Sequence, residues 1–467
     1  MFARSFSSML TMNSHWRSAH AYRSRLRNDK YLGCDHRRRP LAPHSLEPAT
    51  KRHVLRSVLF ISREGEQLFG SEALEHYLRG NVGRIITYEQ HFLGPHDMVF
   101  ADIDGQDDIH FVANLYGVVD ANAPGRLFQS LKMSLADDNV AATNVFGTHW
   151  TIEQLVAAQL REIKQRIEAY TGSSMTRMTI GRPVHYGVSA EADALAMERM
   201  LKACELAELP PVEFLLEPVA AAYAYTATLD RPCHALVFDF GGGTLDISIM
   251  MLDPNGAHEV LATDGVVIGG DRLDSKIVMG ALLPHFGAGA TLGAHRRPLP
   301  AFLLDQLTSW QRIMDLNTRR TIQIIDEAIN TGDRPDQLRA LRALVTSNSG
   351  VPLYVEVERA KVRLSSAEET VLKLDLDDMC FQHQLTRSQF EGLIGVEVRQ
   401  IGLCLDRAVA ASGLTPAQID IVIQTGGSSR IPRFVRLLAE RFGPERLREQ
   451  DPFTSIAAGL ALAARCS

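Results

Sequence analysis

The sequence predicts an α/β protein organised around a parallel or mixed sheet, on three observations. Apolar strand-like segments at 175–181 and 212–216 flank an amphipathic helical segment at 189–206. Residues 234–249 have the pattern of two strands joined by a glycine turn. The composition, 45% hydrophobic and 22% charged, is that of an ordinary globular protein. Alternation of strands and helices is typical of chains whose sheet is covered by helices.

The length and charge of the chain limit the function classes. Its 467 residues suffice for about two to four domains with their own cores. The formal net charge of −6 argues against bulk nucleic-acid binding. No apolar run approaches the roughly 20 residues of a membrane span. We therefore expect neither nucleic acid nor a membrane as a partner.

Cysteine and histidine usage excludes two further classes. The six cysteines contain no CxxC pair, and no histidine pair has HExxH spacing. The sequence therefore predicts neither a disulfide framework nor a zinc site. This usage fits a reducing compartment, and we expect a cytoplasmic protein.

Residues 1–44 differ in character from the rest of the chain. They hold nine Lys or Arg against Asp29 and Asp35, a net +7, which leaves −13 for the remainder. This basic, aperiodic composition is shared by transit peptides, disordered segments and sequence translated in the wrong frame. We hypothesise a mis-started or frame-shifted N-terminus, because recognisable pattern returns near Leu46. Translating the upstream DNA in three frames tests this.

Further elements are predicted along the chain. A helix at 151–170 begins with a capping box of Thr151 and Gln154 and stops at Gly172. Residues 281–350 are helical and irregular, which predicts a peripheral subdomain. Strands are expected at 54–61, near 260–262, at 371–376 and at 420–424, and helices from about 71, at 355–364, 390–411, 432–442 and 454–465.

The hairpin at 234–249 is the first candidate site. The three glycines of its turn, 241–243, lack Cβ atoms, so their backbone can take positive φ and an anion can approach successive N–H groups. Asp239 and Asp246 flank the turn, beside the Thr244 hydroxyl. An ATP site requires exposed backbone N–H groups that bind the phosphates and carboxylates that bind the metal ion. The hairpin alone is equally compatible with an ordinary glycine turn.

Other segments carry weaker signals. Residues 426–432 follow an apolar strand and precede a helix, which suits a ligand or simple packing equally. Glu217 ends an apolar run, where a carboxylate can position water or a metal, or face a helix dipole. Lys132, in an apolar strand or turn, could face a phosphoryl group or solvent. The charged residues at 358–366 are by default a solvated helix face.

Taken together and in order, these segments resemble the nucleotide-binding domain of the heat-shock protein 70 (DnaK) family, in the actin/hexokinase superfamily. Residues 180–183 and 268–270 and the long 281–350 region are most similar to its YegD-like chaperones. The segments that carry the resemblance are EPVAAA at 217–222, DFGGGTLD at 239–246, GGDRLD at 269–274, ERAKVRLSS at 358–366 and GGSSRIP at 426–432.

The resemblance implies a two-lobed actin-like ATPase, a duplicated ribonuclease H-like fold with a helical peripheral subdomain. ATP or ADP with Mg²⁺ would occupy the cleft, and a client or co-chaperone protein would be the partner. The implied divisions are an atypical N-terminus at 1–44, lobe I at 45–232, lobe II at 233–467, the peripheral subdomain at about 277–370, and a C-terminal helix at 454–465 that returns towards lobe I.

The resemblance also implies roles for single residues. Asp239 and Glu217 would hold the Mg²⁺ hydration shell. Lys132 would stabilise the phosphoryl charge, Asp246 would act as a base or orienting group, and Pro183 would be a hinge. The implied nucleotide contacts are Gly241, Gly242, Gly243 and Thr244 for the phosphates, Gly269 and Gly270 for phosphate and ribose, Glu358, Lys361, Ser365, Gly426, Gly427, Ser428 and Arg430 for ribose and adenine, and Asp451 as a last site-forming acid.

The chain departs from the family pattern in three places. Residues 1–53 contain no first phosphate-loop hairpin, and Val362 stands where the family has an arginine over the adenine face. No peptide-binding domain follows, so we do not expect the family's usual mode of client binding.

We expect an ATP-hydrolysing chaperone-like protein. The alternatives are a catalytically impaired nucleotide-dependent switch or scaffold, and a small-molecule kinase of the same superfamily.

Overall fold

The computed structural model describes most of the chain from Leu55 onwards and a short segment before it. The described residues are 10–12, 55, 57–81, 84, 86–100, 109–187, 189–226, 229–254, 258–376, 379–449, 456 and 459–460. Asp451, all of residues 1–44 except Leu10–Met12, and the predicted helix at 454–465 except for residues 456 and 459–460 lie outside them.

Strands and helices alternate through lobe I and the start of lobe II. The strands are β1 (Leu10–Met12), β2 (Val58–Ser62), β3 (Gln67–Phe69), β4 (Tyr88–Phe100), β5 (Ile109–Asp120), β6 (Gly125–Gln129), β7 (Ala142–Val145), β8 (Thr148–Thr151), β9 (Met178–Arg182), β10 (Val212–Leu216), β11 (Cys233–Phe240), β12 (Leu245–Leu252), β13 (His258–Val266), β14 (Thr291–Leu292), β15 (Arg297–Pro298), β16 (Glu369–Leu376), β17 (Met379–Thr386), β18 (Ile421–Thr425) and β19 (Leu447–Glu449).

The α-helices cover the sheets and build the peripheral subdomain. They are α1 (Gly70–Asn81), α2 (Leu131–Ser134), α3 (Ile152–Thr171), α4 (Ala190–Leu206), α5 (Glu217–Thr226), α6 (Gly270–Ile277), α7 (Ala301–Asp305), α8 (Trp310–Asp315), α9 (Arg319–Thr331), α10 (Pro335–Thr346), α11 (Gly350–Leu364), α12 (Arg387–Leu393), α13 (Gly395–Ala411) and α14 (Pro432–Phe442). Among the described residues, no helix combines the length and apolar character needed to cross a membrane.

A five-stranded mixed sheet, in the order β13-β12-β11-β18-β19, forms the centre of lobe II. Strand β11 pairs antiparallel with β12 and parallel with β18. Leu236, Val237 and Phe238 are completely buried, as the apolar run in the sequence predicts. Strands β11 and β18 are parallel neighbours, so they end at the same edge of the sheet. The glycine segments that follow them, at 241–243 and 426–427, therefore lie side by side.

Two further sheets, most of whose strands lie in the segment predicted as lobe I, share one core. Strand β2 lies between β3 and β6, while β9 pairs parallel with β10 and antiparallel with β1. Leu59 and Ile61 from the first sheet and Ile180 from the second belong to one buried apolar cluster with residues of α3 and α4. The shared core holds the ends of β9 and β10 next to the glycine turn of lobe II.

The helix predicted at 151–170 is confirmed together with its end signals. Thr151 accepts from the Gln154 amide, the Gln154 side chain accepts from the Thr151 amide, and Gly172 closes the helix with a φ of 66°. The positive φ explains the glycine, since residues with a Cβ rarely adopt it. This helix buries Leu155 and Ile163 against the lobe I sheets.

Two predicted elements differ from the structure. The single helix predicted at 390–411 is wrong, because Ile394 (φ −95°, ψ 11°) separates α12 from α13. Gly395, a poor helix former, follows it directly. The sequence interpretation also omitted β17, which pairs with β16 in an antiparallel hairpin. The boundaries of the peripheral subdomain, about 277–370, stay a prediction.

Helix α1 of lobe I packs on the peripheral subdomain of lobe II. The Tyr77 hydroxyl donates to the sulfur of Met314. The Asn348 side-chain amide donates to the carbonyls of Asn81 at 3.2 Å and Arg84 at 3.0 Å. Asn348 and Tyr77 are 2% and 3% exposed, so this contact between the lobes is fully buried.

Candidate functional site

The glycine turn between β11 and β12 is tight and internally bonded. The Gly241 amide donates to the Thr244 carbonyl at 3.0 Å. None of the glycines 241–243 has a positive φ, so the turn does not use the conformation that these glycines permit. Asp239 and Asp246 face each other across the two strands, and directly opposed residues of an antiparallel pair share one face. Both carboxylates are buried, with 4% and 2% exposure.

A second glycine segment, at the start of α6, lies against this turn. The Gly270 amide donates to the Gly241 carbonyl at 3.0 Å, and the Asp271 amide donates to the Gly242 carbonyl at 2.9 Å. A Cβ on Gly269 would lie 2.1 Å from the Gly242 carbonyl oxygen. The close approach of two backbone segments therefore accounts for glycine at 269, whose own φ of −134° is extended.

A third glycine segment completes the turn's surroundings. The Ser428 hydroxyl donates to the Gly241 carbonyl at 3.2 Å. Gly426 has a φ of 84°, a conformation for which glycine is the natural residue. Residues Gly427–Arg430 form a short 3₁₀ turn before α14 begins. Three segments that are far apart in sequence thus meet at one place, as the resemblance implies.

Asp246 is held by groups from both lobes. The Val184 amide donates to its Oδ1 at 2.8 Å, and the Thr244 hydroxyl donates to its Oδ2 at 2.8 Å. The pKa of Asp246 is raised to about 6, first by burial and second by the negative charge of Glu217. The two hydrogen bonds and the charge of Lys132 act in the opposite direction. Asp246 is therefore electrostatically coupled to two lobe I side chains.

Lys132 and Glu217 form a buried ion pair. The Lys132 Nζ lies 2.5 Å from the Glu217 Oε1, and the side chains are 6% and 11% exposed. Lys132 lies in the short helix α2 rather than in the expected strand or turn. Its ammonium lies 5.7 Å from the centre of the Tyr186 ring. An ordinary surface lysine is therefore excluded, and its charge is directed at the carboxylates.

The donor set around the turn suits Mg²⁺ only in part. Carboxylate oxygens of Asp239, Glu217 and Asp246 are the hard ligands that Mg²⁺ prefers. Within the described ranges, no three His, Cys, Asp or Glu side chains are grouped closely enough to hold a metal ion. Mg²⁺ commonly takes one or two carboxylates and completes its shell with water and substrate phosphates. The residues fit an ion that arrives with a nucleotide.

A cleft of about 530 Å³ opens beside the third glycine segment. It brings together Lys361, Ser365, Gly427 and Arg430, four of the residues expected at ribose and adenine. Gly426 and Ser428 adjoin the cleft through the same turn. Its lining is Lys361, Val362, Ser365, Ser366, Gln424, Gly427, Arg430, Ile431, Val435 and Glu449. Gln424, Ser366, Glu449 and the two apolar residues Ile431 and Val435 are functional candidates that the sequence interpretation missed.

The charged run at 358–366 is not a solvated face at its key positions. Lys361 is 1% exposed, and its Nζ donates to Asp274 at 2.8 Å and to the Gly270 carbonyl at 2.9 Å. Burial raises the pKa of Asp274, although Lys361 opposes the shift. Glu358 is buried one turn earlier on α11, at 6% exposure, and is not among the described residues lining the cleft. Lys361 thus fixes the Gly269–Gly270 segment through its hydrogen bond to the Gly270 carbonyl.

A second depression of about 410 Å³ lies on the other side of Asp246. His185, Asp193, Thr244 and Val267 are among its lining residues. The Asp193 carboxylate accepts from the Gly187 amide at 3.1 Å and lies 2.9 Å from the His185 Nδ1. The contacts of Asp193 with Gly187 and His185 order the segment after Pro183. Val184 in this segment donates to Asp246 and so connects the predicted hinge to that carboxylate.

The similarity to known proteins covers the segments that form this site. The sequence model of the family described as "Hsp70 protein" matches residues 125–291 and 349–466, more than half of the chain. The chain belongs to the heat-shock protein 70 family. Its described residues accordingly form an actin-like ATPase fold of mixed α/β type, with a nucleotide-binding domain of the heat-shock protein 70 kind.

Two curated relatives of the family, from two strains of Thermus thermophilus, are both named "Chaperone protein DnaK". Each is 28% identical over 336 residues, which cover 70% of this chain and 45% of the relative. The chain thus matches less than half the length of these heat-shock protein 70 relatives. The closer likeness to YegD-like chaperones stays a prediction.

Proposed function

We propose that this chain binds ATP with Mg²⁺ between its lobes and hydrolyses it as a chaperone-like ATPase. The observation that carries the proposal is the coupling of Lys132 and Glu217 from lobe I with Asp246 beside the glycine turn of lobe II. Two acids, one buried cation and bare backbone amides at one point suit a bound triphosphate. The name shared by the two DnaK relatives supports a chaperone-like role with a client or co-chaperone partner.

The proposed roles follow the geometry. The turn amides of 241–243 and Thr244 would contact the β- and γ-phosphates, with Gly269 and Gly270 alongside. Bound Mg²⁺, held through water by Asp239 and Glu217, would neutralise phosphate charge. The adenosine would lie in the 530 Å³ cleft. Proposed contacts there are Glu358, Lys361, Ser365, Gly426, Gly427, Ser428 and Arg430, with Asp451, outside the described residues, as a further acid.

Asp246 would orient the attacking water. With a pKa of about 6, its carboxylate is mostly ionised at pH 7 and can accept a hydrogen bond from water. Lys132 would leave Glu217 and contact the transferred phosphoryl group, since the carboxylate and the phosphoryl group compete for one ammonium. Pro183, directly before Val184, would transmit the change to the lobe I sheet.

Single-turnover hydrolysis of ATP by the full chain with Mg²⁺ tests the proposal. We expect Asp239→Ala to lower the rate by at least about 100-fold, because it removes a charge that acts on the phosphates. Asp326→Ala is the matched control. Asp326 pairs with Arg342 on the peripheral subdomain, at 44% side-chain exposure, and its loss should leave the rate unchanged. Equal background rates in wild type and Asp239→Ala would contradict hydrolysis.

The second candidate is a nucleotide-dependent switch or scaffold without efficient hydrolysis. The Lys132–Glu217 ion pair favours it, because the lysine needed at the phosphoryl group is already neutralised. The sequence prediction that residues 1–53 lack the first phosphate loop would act in the same direction. ADP binding together with background hydrolysis would support this function.

A cytoplasmic location is proposed on the free, buried thiols of Cys204, Cys233 and Cys404.

A further inference from the structure

Gln424 occupies an unusual position at the end of the central sheet of lobe II. It lies on β18, is 6% exposed, and lines the 530 Å³ cleft. Its Nε2 donates to the Ser429 carbonyl at 3.2 Å. A carbonyl oxygen can only accept, so this bond determines which end of the amide is which. The Oε1 of Gln424 is therefore a fixed acceptor.

That acceptor lacks a protein donor. Among the residues that the structure describes, no N–H or O–H group donates to the Gln424 Oε1. The oxygen is not among the fully buried polar atoms that lack a partner, so it is open to the cleft. A ligand that covers this acceptor without donating to it leaves it unpaired, at a cost of about 1–3 kcal/mol. A donor supplied by a ligand in the cleft would satisfy the oxygen.

The walls of the cleft suit a flat ring. Val362, 53% exposed, and Ile431 contribute apolar surface. Arg430 forms an ion pair with Glu449, and both side chains are about half exposed at the cleft. The carboxylate holds the edge of the planar guanidinium, which leaves the guanidinium face available for stacking. The cleft thus offers an apolar wall, a stacking cation and one fixed acceptor.

We propose that Gln424 determines the base specificity of the nucleotide site, and this rests on the proposed function. Its Oε1 accepts a hydrogen bond from the 6-amino group of adenine, which lies between Val362 and Arg430. A purine with an oxygen at position 6 places a second acceptor against the Gln424 Oε1, so both oxygens stay without a donor. Sites built to pair with a donor reject analogues that lack it, because the buried group is left without a partner.

Binding of ADP and IDP with Mg²⁺ to the full chain, measured by calorimetry, tests the proposal. The two nucleotides have the same phosphates and ribose and differ in the base at position 6. We expect wild type to bind ADP at least about 10-fold more tightly than IDP. In Gln424→Leu the ratio falls to within about 3-fold, through loss of ADP affinity.

Gln384→Leu is the matched control. Gln384 is exposed on β17 of the peripheral hairpin, where it donates to Glu369 at 2.7 Å, and its replacement should keep the wild-type ratio. A purely structural role of Gln424 weakens both nucleotides by the same factor and keeps the ratio, which overturns the proposal. Tighter binding of IDP than ADP by wild type overturns it as well.

A measurement that varies the ligand covers the case in which Gln424→Leu does not fold. Purine riboside diphosphate has hydrogen at position 6, and we expect wild type to bind it about 10-fold more weakly than ADP. Equal affinities overturn the proposal while leaving the nucleotide site intact. If wild type binds none of the three nucleotides, the proposed function fails, and the base specificity fails with it.

Discussion

The backbone amide of Val184 donates to the Asp246 carboxylate at 2.8 Å, across the boundary between the lobes. Asp246 is thereby fixed from both sides, since Thr244 binds its other oxygen. The segment after β9 can move only if this bond breaks or moves with the carboxylate. The protonation state of one buried acid therefore affects how the two lobes are held together.

Asp246→Asn should stabilise the nucleotide-free protein in a pH-dependent way. The folded pKa of about 6 is above the ordinary value of 3.8, so the folded state loses stability as pH rises from about 4 to about 6. The asparagine removes this cost, and its oxygen can still accept from the Val184 amide while its NH2 group donates to the Thr244 hydroxyl, which then acts as acceptor. We expect a gain of about 3 kcal/mol at pH 7.5 and a much smaller gain at pH 4.5. Thermal unfolding at both pH values measures it.

Asp326→Asn provides the comparison for that measurement, because its carboxylate is in an exposed pair with Arg342. It should change stability by less than about 1 kcal/mol at either pH. A gain for Asp246→Asn that is the same at pH 4.5 and pH 7.5 would show that the raised pKa is not its cause.

Gly269→Ala should damage the phosphate turn. The added methyl would lie 2.1 Å from the Gly242 carbonyl oxygen, which is backbone and cannot rotate away. We expect a loss of stability of about 2 kcal/mol or more and weaker ADP binding. Gly392→Ala, on α12, is the control, because nothing lies within 4 Å of the position that its methyl would take. That change should be neutral or stabilise by about 0.5–1 kcal/mol.

Val362→Arg should tighten nucleotide binding. The guanidinium would stack on the base from the wall opposite Arg430, a cation–π contact that strengthens affinity about 3- to 30-fold. Titration with a fluorescent ADP analogue measures this. Val371→Arg, at a similarly exposed position on β16 with 51% exposure, adds the same charge elsewhere and should have little effect. An equal gain in both variants would indicate attraction by net charge alone.

The Lys361–Asp274 ion pair should behave as one unit. Both side chains are 1% exposed, so Lys361→Met leaves an unpaired buried carboxylate and should cost about 3–5 kcal/mol. Adding Asp274→Leu should recover much of that loss. Chemical unfolding of the single and double variants tests the coupling. Additive losses would contradict it, and Asp336→Asn, which breaks an exposed pair with Arg339, should change little.

The sequence predicted the parts of this molecule whose signals are local. A short apolar run located β11 and period-two alternation located β12, and Thr151, Gln154 and Gly172 marked the ends of α3 because capping uses near neighbours. The resemblance carried by the motifs implied that the glycine segments meet. The Lys132–Glu217 pair could not be read from spacing, because the residues are 85 positions apart.

Other features were missed for identifiable reasons. Strand β17 does alternate, with Phe381 and Leu385 buried, and this signal was available. Gly395 was a usable sign of the break between α12 and α13. Gln424 looked like an ordinary strand residue, since only its bond to Ser429 shows that its acceptor is fixed. Glycines 241–243 permit a positive φ, but the turn does not use it, because glycine is equally compatible with ordinary backbone conformations.

The hydrogen bond from Ser428 to Gly241 spans 187 positions of the chain. A ribosome that has released the hairpin must still synthesise most of lobe II before this partner exists. The turn therefore cannot acquire its final surroundings during early synthesis, however quickly its two strands pair. Under the proposed function, a chain interrupted before Ser428 would lack one side of the surroundings of this turn and would bind nucleotide more weakly.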